Sequence, residues 1–323
     1  MSMSKKVLLM GRSCSGKSSM RSMIFSNYNP FETRMLGPTI DIEHSNLKFL
    51  SSMTLNLWDC GGQTGFMENY LGGNGGKENP NVFKKTEVLI YVFDVESREL
   101  NADIDTFRRV LKNLAKYSPD VTIFTLVHKM DLVQAPKRKD VFDVMCGRVD
   151  AVASSFNMSA VCFPTSIWDE SLYKAWSKIV CSLIPNLKKF QETLEKLNTV
   201  FEAKEIILLE KTTALVIAST TMERNSDGTP RIYGRKKLDK ERFGKISTLI
   251  KTHKQCCNKL RTNFTSYVVH GPTTSTYIDV LTPTVYIMVV KSSRDDETGA
   301  YIDEQAIVMD NIEYAKKVFQ KII

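Results

Sequence analysis

The chain has 323 residues, of which 42% are hydrophobic and 25% charged, with a formal net charge of +8. This is an ordinary globular composition, and the length fits two domains better than one, each able to bury its own core. The positive balance leaves acidic partners open without naming one.

The seven cysteines (14, 60, 146, 162, 181, 256 and 257) contain no C-x-x-C pair, so reduced thiols are expected rather than a disulfide framework. Four scattered histidines offer no metal cluster. No apolar run approaches the length of a membrane span, and the opening Met1-Ser2-Met3-Ser4-Lys5-Lys6 is not a signal peptide. Residue 2 is Ser rather than the Gly of a myristoylation site, and the last residues, Lys321-Ile322-Ile323, form no prenylation box. Membrane attachment is therefore expected to be borrowed from a partner.

In chain order, a strand is predicted over 5–10, followed by Gly11-Arg12-Ser13-Cys14-Ser15-Gly16-Lys17-Ser18 and a helix over 17–27. A G-x-x-x-x-G-K-[ST] loop between strand and helix is a phosphate cradle: its glycines let the backbone curl so that successive N–H groups face the anion. Lys17 supplies a point charge to the β and γ oxygens, Ser18 offers its hydroxyl to Mg²⁺, and Ser19 continues the loop into the helix. Next comes Leu36-Gly37-Pro38-Thr39-Ile40-Asp41, where the Thr39 hydroxyl can complete the metal's ligands only when a γ-phosphate is present.

Strands are predicted over 42–50 and 53–59, the second ending in Trp58-Asp59-Cys60-Gly61-Gly62-Gln63. Asp59 can reach Mg²⁺ through water, Gly62 can turn its N–H toward a γ-phosphate, and Gln63 can orient an attacking water. The Gly-rich stretch from Leu71 to Asn81 resists helix formation. A strand over 87–94, a helix over 100–117 and a strand over 121–127 lead to His128-Lys129-Met130-Asp131. The Asp131 carboxylate can accept from both guanine N1–H and the N2 amino group, a donor pair adenine lacks, while Lys129 can lay its stem along the ring. His128 can donate a ring N–H in the right tautomer. A helix over 138–156, a weak strand over 160–163 and a helix over 169–183 follow, with Ser166 and Ile167 supplying backbone N–H groups to the base carbonyl. Strands alternating with helices predict a parallel-dominated α/β sheet with ligands at the carboxyl ends of its strands.

After Pro185 the character changes to a helix over 187–203, strands over 205–210 and 213–219, and a polar loop over 220–237. A helix over 239–260, strands over 264–270, 275–281 and 284–290, and a helix over 301–322 complete an α+β domain. The boundary is expected at 184/185. In the helix over 239–260, Phe243, Ile246, Leu249, Ile250, Cys257 and Leu260 form an apolar stripe with the lysines on the other side; Ile307, Ile312, Ala315, Phe319 and Ile322 repeat it in the last helix. A single helix on a small sheet would leave a face or edge exposed, making 190–323 a dimerisation candidate.

The chain resembles a Rag/Gtr-family GTPase, of the RagA/RagB type. The resemblance rests on LLMGRSCSGKSSMRSMIFSNY (8–28), LGPTIDIEHSNLKFL (36–50), MTLNLWDCGGQ (53–63), VFDVESREL (92–100), LVHKMDLV (126–133) and PTSIWDESLYKAWSKIVCSLIPNL (164–187). It implies a P-loop GTPase domain followed by a roadblock/longin-like domain. It further implies slow GTP hydrolysis with GTP/GDP and Mg²⁺, stimulated by an activating protein. The family's heterodimer joins a RagC/RagD-like subunit through the C-terminal domains. It sits on the cytosolic face of the lysosomal or vacuolar membrane through a lipidated scaffold, and reports amino-acid sufficiency to the target-of-rapamycin kinase complex. Pro38, where the family pattern would have Ala, and the Gly-rich 72–80 stretch depart from that pattern.

A scaffold that binds nucleotide without turnover is the rival reading, and Gln63 weighs against it. Nucleic-acid binding is the third reading. The ten Lys/Arg between 235 and 261 lack an aromatic platform, so a solvated helix face is preferred. No arginine matches an in-cis finger; Arg34 lies five residues before Thr39.

Overall fold

The computed structural model describes residues 3–26, 28–49, 53–72, 79–184, 187–220, 242–294, 298, 300–301 and 303–320. The chain divides into two compact units, one of residues 1–47 and 53–175, the other of 48–52 and 176–323.

The first unit contains β1 (Met3–Met10), α1 (Lys17–Phe25), β2 (Ile42–Phe49), β3 (Met53–Cys60), α2 (Thr64–Leu71), α3 (Pro80–Phe83), β4 (Thr86–Asp94) and α4 (Leu100–Tyr117). It continues through β5 (Thr122–His128), α5 (Arg138–Ser154) and β6 (Ala160–Thr165) into α6 (Ser171–Leu183), within which the division falls. The sheet order is β2-β3-β1-β4-β5-β6, and β1 pairs in parallel with both β3 and β4, as β5 does with β4 and β6. Burial on both faces explains the unbroken apolar runs: Leu8, Leu9 and Met10 are consecutive and all fully buried. Helix α4 presents Ile104, Phe107, Val110, Leu111 and Leu114 inward at helical spacing, and the Phe107 ring lies 4.9 Å from Tyr91 and 5.5 Å from Phe93.

The parallel sheet is the predicted one, but two short helices flank the Gly-rich stretch. Helix α2 ends where Gly72 takes φ 70° and donates its N–H to Glu68 O at 2.9 Å, so the helix-resistant composition begins at its C-terminal cap. Helix α3 opens with Pro80 in its first turn, and the Asn79 side chain accepts from Asn81 N. Residues 73–78 lie outside the described residues.

The second unit has the predicted element order: α7 (Leu187–Phe201), β7 (Glu205–Glu210), β8 (Val216–Ser219), α8 (Arg242–Lys259), β9 (Ser266–His270), β10 (Thr274–Thr282), β11 (Val285–Ser292) and α9 (Gln305–Phe319). Its sheet runs β8-β7-β11-β10-β9, antiparallel throughout. Strand β8 starts later than residue 213. The buried Glu210 carboxylate accepts from the backbone N–H groups of Thr212 and Thr213, folding that segment into a turn with Ala214 at φ 56°.

The predicted stripe on α8 is corrected. Its buried face is Gly244, Ser247, Ile250 and Lys251, whereas Leu260 is 75% exposed and Leu249 is also exposed. Small residues let the helix approach closely, and the Ser247 hydroxyl donates to Ala214 O at 2.5 Å. Phe243, Ile246 and Cys257 pack at the margin of this core. The second sheet face is not open either. Helix α9 lies against it with Val308, Ile312, Ala315 and Phe319 buried, and Lys316 Nζ reaches Asp279 Oδ2 on β10 at 3.2 Å. Phe190 of α7 meets Phe319 of α9 at 6.0 Å on the same side. Ile307 is exposed rather than buried, and Ile322, like residues 221–241, which include the 235–241 part of the basic region, lies outside the described residues. Apolar surface therefore remains on the outer sides of helices and at the β9 edge, not on a bare sheet face.

Candidate functional site

The carboxyl ends of β1, β3, β5 and β6 gather every predicted site residue except Thr39, which the segment before β2 brings in. Between β1 and α1, Gly16 takes φ 94°, and a Cβ there would lie 2.6 Å from His128 Cδ2. Cys14 also has positive φ, at 63°, so the loop turns sharply through Cys14-Ser15-Gly16. Lys17 Nζ donates to Gly11 O at 2.8 Å and to Arg12 O at 2.7 Å, closing the loop around its own side chain. Burial pulls the Lys17 pKa down to about 8, with Asp59 acting in the opposite sense. Ser15 Oγ is buried with no hydrogen-bond partner; Ser19 lies one residue into α1 after Ser18.

Ser18 Oγ lies 2.7 Å from Thr39 Oγ1 and donates to Asp59 Oδ2 at 3.3 Å. Three oxygen-bearing side chains from three distant segments thus converge. Asp59 is wholly buried, and its Oδ1 accepts no hydrogen bond from the described residues. Burial raises the Asp59 pKa, against the pull of Arg21, Lys17 and the Ser18 hydroxyl. A hard, oxygen-seeking divalent ion fits this set: two hydroxyls and a carboxylate with a free buried oxygen, and no sulfur or imidazole.

Gly62 packs directly on the loop. A Cβ on it would lie 2.4 Å from Arg12 C and Ser13 N, and its carbonyl accepts from Ser13 N at 2.8 Å. Gln63 caps α2 in extended conformation and is exposed. With Arg12, Ser13, Thr64, Asp94, Ser97 and Asp103 it lines a cavity of about 420 Å³ beside the loop. The Arg12 side chain turns away from the loop interior: Nη2 lies 2.7 Å from Glu99 and Nε 3.1 Å from Asp103.

On the base side, His128 is 2% exposed, with Nδ1 3.0 Å from Thr165 Oγ1. Burial, aided by Lys129, lowers its pKa to about 4, so the ring is neutral at pH 7 and retains one N–H donor. Lys129 sits at φ 64° and pairs with Asp94. Asp131 Oδ1 accepts from Ser166 Oγ at 2.6 Å, and Arg138 anchors Asp131 O at 3.3 Å. The Ser166 N–H, expected to face a base carbonyl, donates to Ser171 Oγ at 2.9 Å. The half-buried Ile167 follows.

Four participants went unrecognised in the sequence. Phe31 and Trp168 meet edge to face at 5.1 Å, with the Arg34 guanidinium 5.5 and 5.8 Å from the two rings. The Trp168 backbone N–H donates to Ser166 Oγ, which in turn donates to Asp131, so this aromatic pair lies beside Asp131. Tyr70 of α2 donates to Asp41 Oδ1 at 3.1 Å, joining α2 to the segment that carries Thr39. Arg21 pairs with Asp59. The one advance signal was the Ser-Ile-Trp run itself; contacts between segments far apart in sequence have no local signature.

The family pattern described as the Gtr1/RagA G protein conserved region matches residues 6–250. GTP-binding protein GTR1 of Saccharomyces cerevisiae is 48% identical over 98% of this chain and 98% of its own length. Ras-related GTP-binding protein B of Rattus norvegicus is 40% identical over 99% of the chain and 86% of its own. Ras-related GTP-binding protein C of Homo sapiens is 30% identical over 61% of the chain and 47% of its own.

Proposed function

Because this chain belongs to the Gtr1/RagA family of G proteins, and is therefore a GTP-binding GTPase, we propose that it is the A/B-type subunit of a paired GTPase switch. In this reading it reports amino-acid sufficiency to the target-of-rapamycin kinase complex. The observation that carries the switch is the meeting of Ser18, Thr39 and Asp59. Thr39 belongs to a segment outside the regular elements, so its hold on the site depends on what lies between these oxygens. A γ-phosphate would draw Thr39 in, and its loss would release it.

The proposed site uses Arg12 to Ser19 as the phosphate loop, with Lys17 giving its charge to the phosphates. Ser18 and Thr39 would hold Mg²⁺ directly and Asp59 through water; the ion, when bound, neutralises charge growing on the phosphate oxygens. Gly62 gives backbone to the γ-phosphate and Gln63 orients the water. Asp131 reads guanine, Lys129 lines the ring, neutral His128 donates beside the loop, and Ser166 and Ile167 border the base. Ser18→Asn is expected to weaken GTP retention roughly 10–100-fold, the equivalent of one lost charged-group contact. The measurement is nucleotide dissociation at millimolar Mg²⁺; retention equal to wild type overturns the phosphate-site assignment.

The proposed partner is a RagC/RagD-like GTPase subunit, bound through 190–323. Support comes from the likeness to Ras-related GTP-binding protein C and from the exposed Leu249, Leu260, Ile307 and Tyr314 of the second unit. Attachment to the lysosomal or vacuolar surface would come from a lipidated partner, consistent with the absence among the described residues of a helix long and apolar enough to cross a membrane. Co-expression of the full chain with such a subunit should give a 1:1 complex in sedimentation. Two separate species at micromolar concentration would end this partner assignment.

A further inference from the structure

Arg21 is the residue at the metal-side cluster that the proposed switch does not use. It lies three residues after Ser18, on the same flank of α1, so both side chains reach the end of β3. Its Nε is 3.1 Å from Asp59 Oδ2, an ion-pair contact that is not aligned as a hydrogen bond, and its Nη2 pairs with Glu43 on β2. One guanidinium therefore spans α1, the end of β3 and the start of β2. Ser18 also donates to Oδ2, which leaves Oδ1 as the carboxylate oxygen without a protein partner. The two ends of Asp59 are thus divided: one engaged by protein, the other left over.

Asp59 is completely buried, and a buried carboxylate without an opposing charge is strongly unfavourable. Lys17, the other nearby cation, acts on Asp59 through its charge but directs two of its three donors to Gly11 O and Arg12 O. We propose that Arg21 is the built-in counter-cation of Asp59, balancing that carboxylate whenever the divalent ion is absent and holding it in place through Glu43. Arginine suits this role because its extended, delocalised charge can lie against two carboxylates at once, which a compact lysine ammonium does less well. The consequence is a protein that keeps its shape through loss of the metal. This rests on the metal reading given above.

The test uses the full chain with GDP, comparing thermal unfolding midpoints in Mg²⁺ and in EDTA. In the wild type, Mg²⁺ should raise the midpoint by a modest amount. In Arg21→Gln the midpoint in EDTA should fall further than the midpoint in Mg²⁺, widening the gap by on the order of 5 °C, because the ion now supplies the missing charge. An unchanged or narrower gap overturns the proposal. Indifference to Mg²⁺ in both the wild type and Arg21→Gln overturns the metal reading itself, and this inference with it. Should Arg21→Gln fail to fold, Arg21→Lys carries the test: it keeps a charge but loses the two-sided grip, so its gap should widen by less. No widening in Arg21→Lys then counts against the role.

Discussion

Replacing Asp131 with Asn is expected to cost roughly 10²–10⁴-fold in GTP affinity, the loss of two hydrogen bonds from guanine to a charged acceptor. In the same variant xanthine nucleotide should gain, because an amide can accept from N1–H while donating to the oxygen that replaces the N2 amino group. The geometry favours a clean readout. Asp131 Oδ1 is already held by Ser166 Oγ at 2.6 Å, and the backbone is pinned by Arg138, so an isosteric amide should keep its place. Competition between GTP and XTP measures the switch in preference. Retained guanine preference would mean that Asp131 only ties its loop to Ser166.

Gln63→Leu should bind GTP within about twofold of wild type and lose most of the stimulated hydrolysis, a component on the order of 10³–10⁵ in GTPases that receive an arginine from a partner. Gln63 stands exposed at the start of α2, on the rim of the cavity beside the loop, where a partner can reach it. Arg12 lines the same cavity but is committed to Glu99 and Asp103, and Arg34 lies against Phe31 and Trp168. Neither is aimed at the phosphate site, so external help is the expected source of rapid turnover. Single-turnover phosphate release with and without an activating protein checks this. Unchanged stimulated turnover in the Leu variant would move the water-orienting role elsewhere and leave Gln63 a structural cap.

The loops proposed to hold phosphate, metal and base were legible because such ligands demand fixed atoms at fixed spacing. Gly11 to Ser18, Asp59 to Gln63 and His128 to Asp131 all lie at the ends of strands whose apolar runs announce them. What the sequence hid was of two kinds. Helix α8 turns Ile250, Phe243, Ile246 and Cys257 to the core as counting apolar residues predicts, but it also buries Gly244, Ser247 and Lys251 and leaves Leu249 and Leu260 outside, which apolar periodicity does not show. Tyr70, Phe31 and Arg21 act on residues 29, 137 and 38 positions away, respectively, and nothing near them in the chain marks those contacts.

The Tyr70 contact has a bearing on how information leaves this molecule. A phenol donating to Asp41 couples the stretch that carries Thr39, proposed to sense the terminal phosphate, to the stretch that begins at Gln63. Such a bond to a charged group is worth roughly 1.5–3 kcal/mol, enough to tilt a pair of loosely held segments by ten- to a hundredfold. In the proposed switch, this contact would make the two segments move as one two-position device rather than as two independent indicators. A protein that grips only one of them still learns the state of both, and in gripping it biases the other. The signal is thereby made less noisy without any added recognition surface.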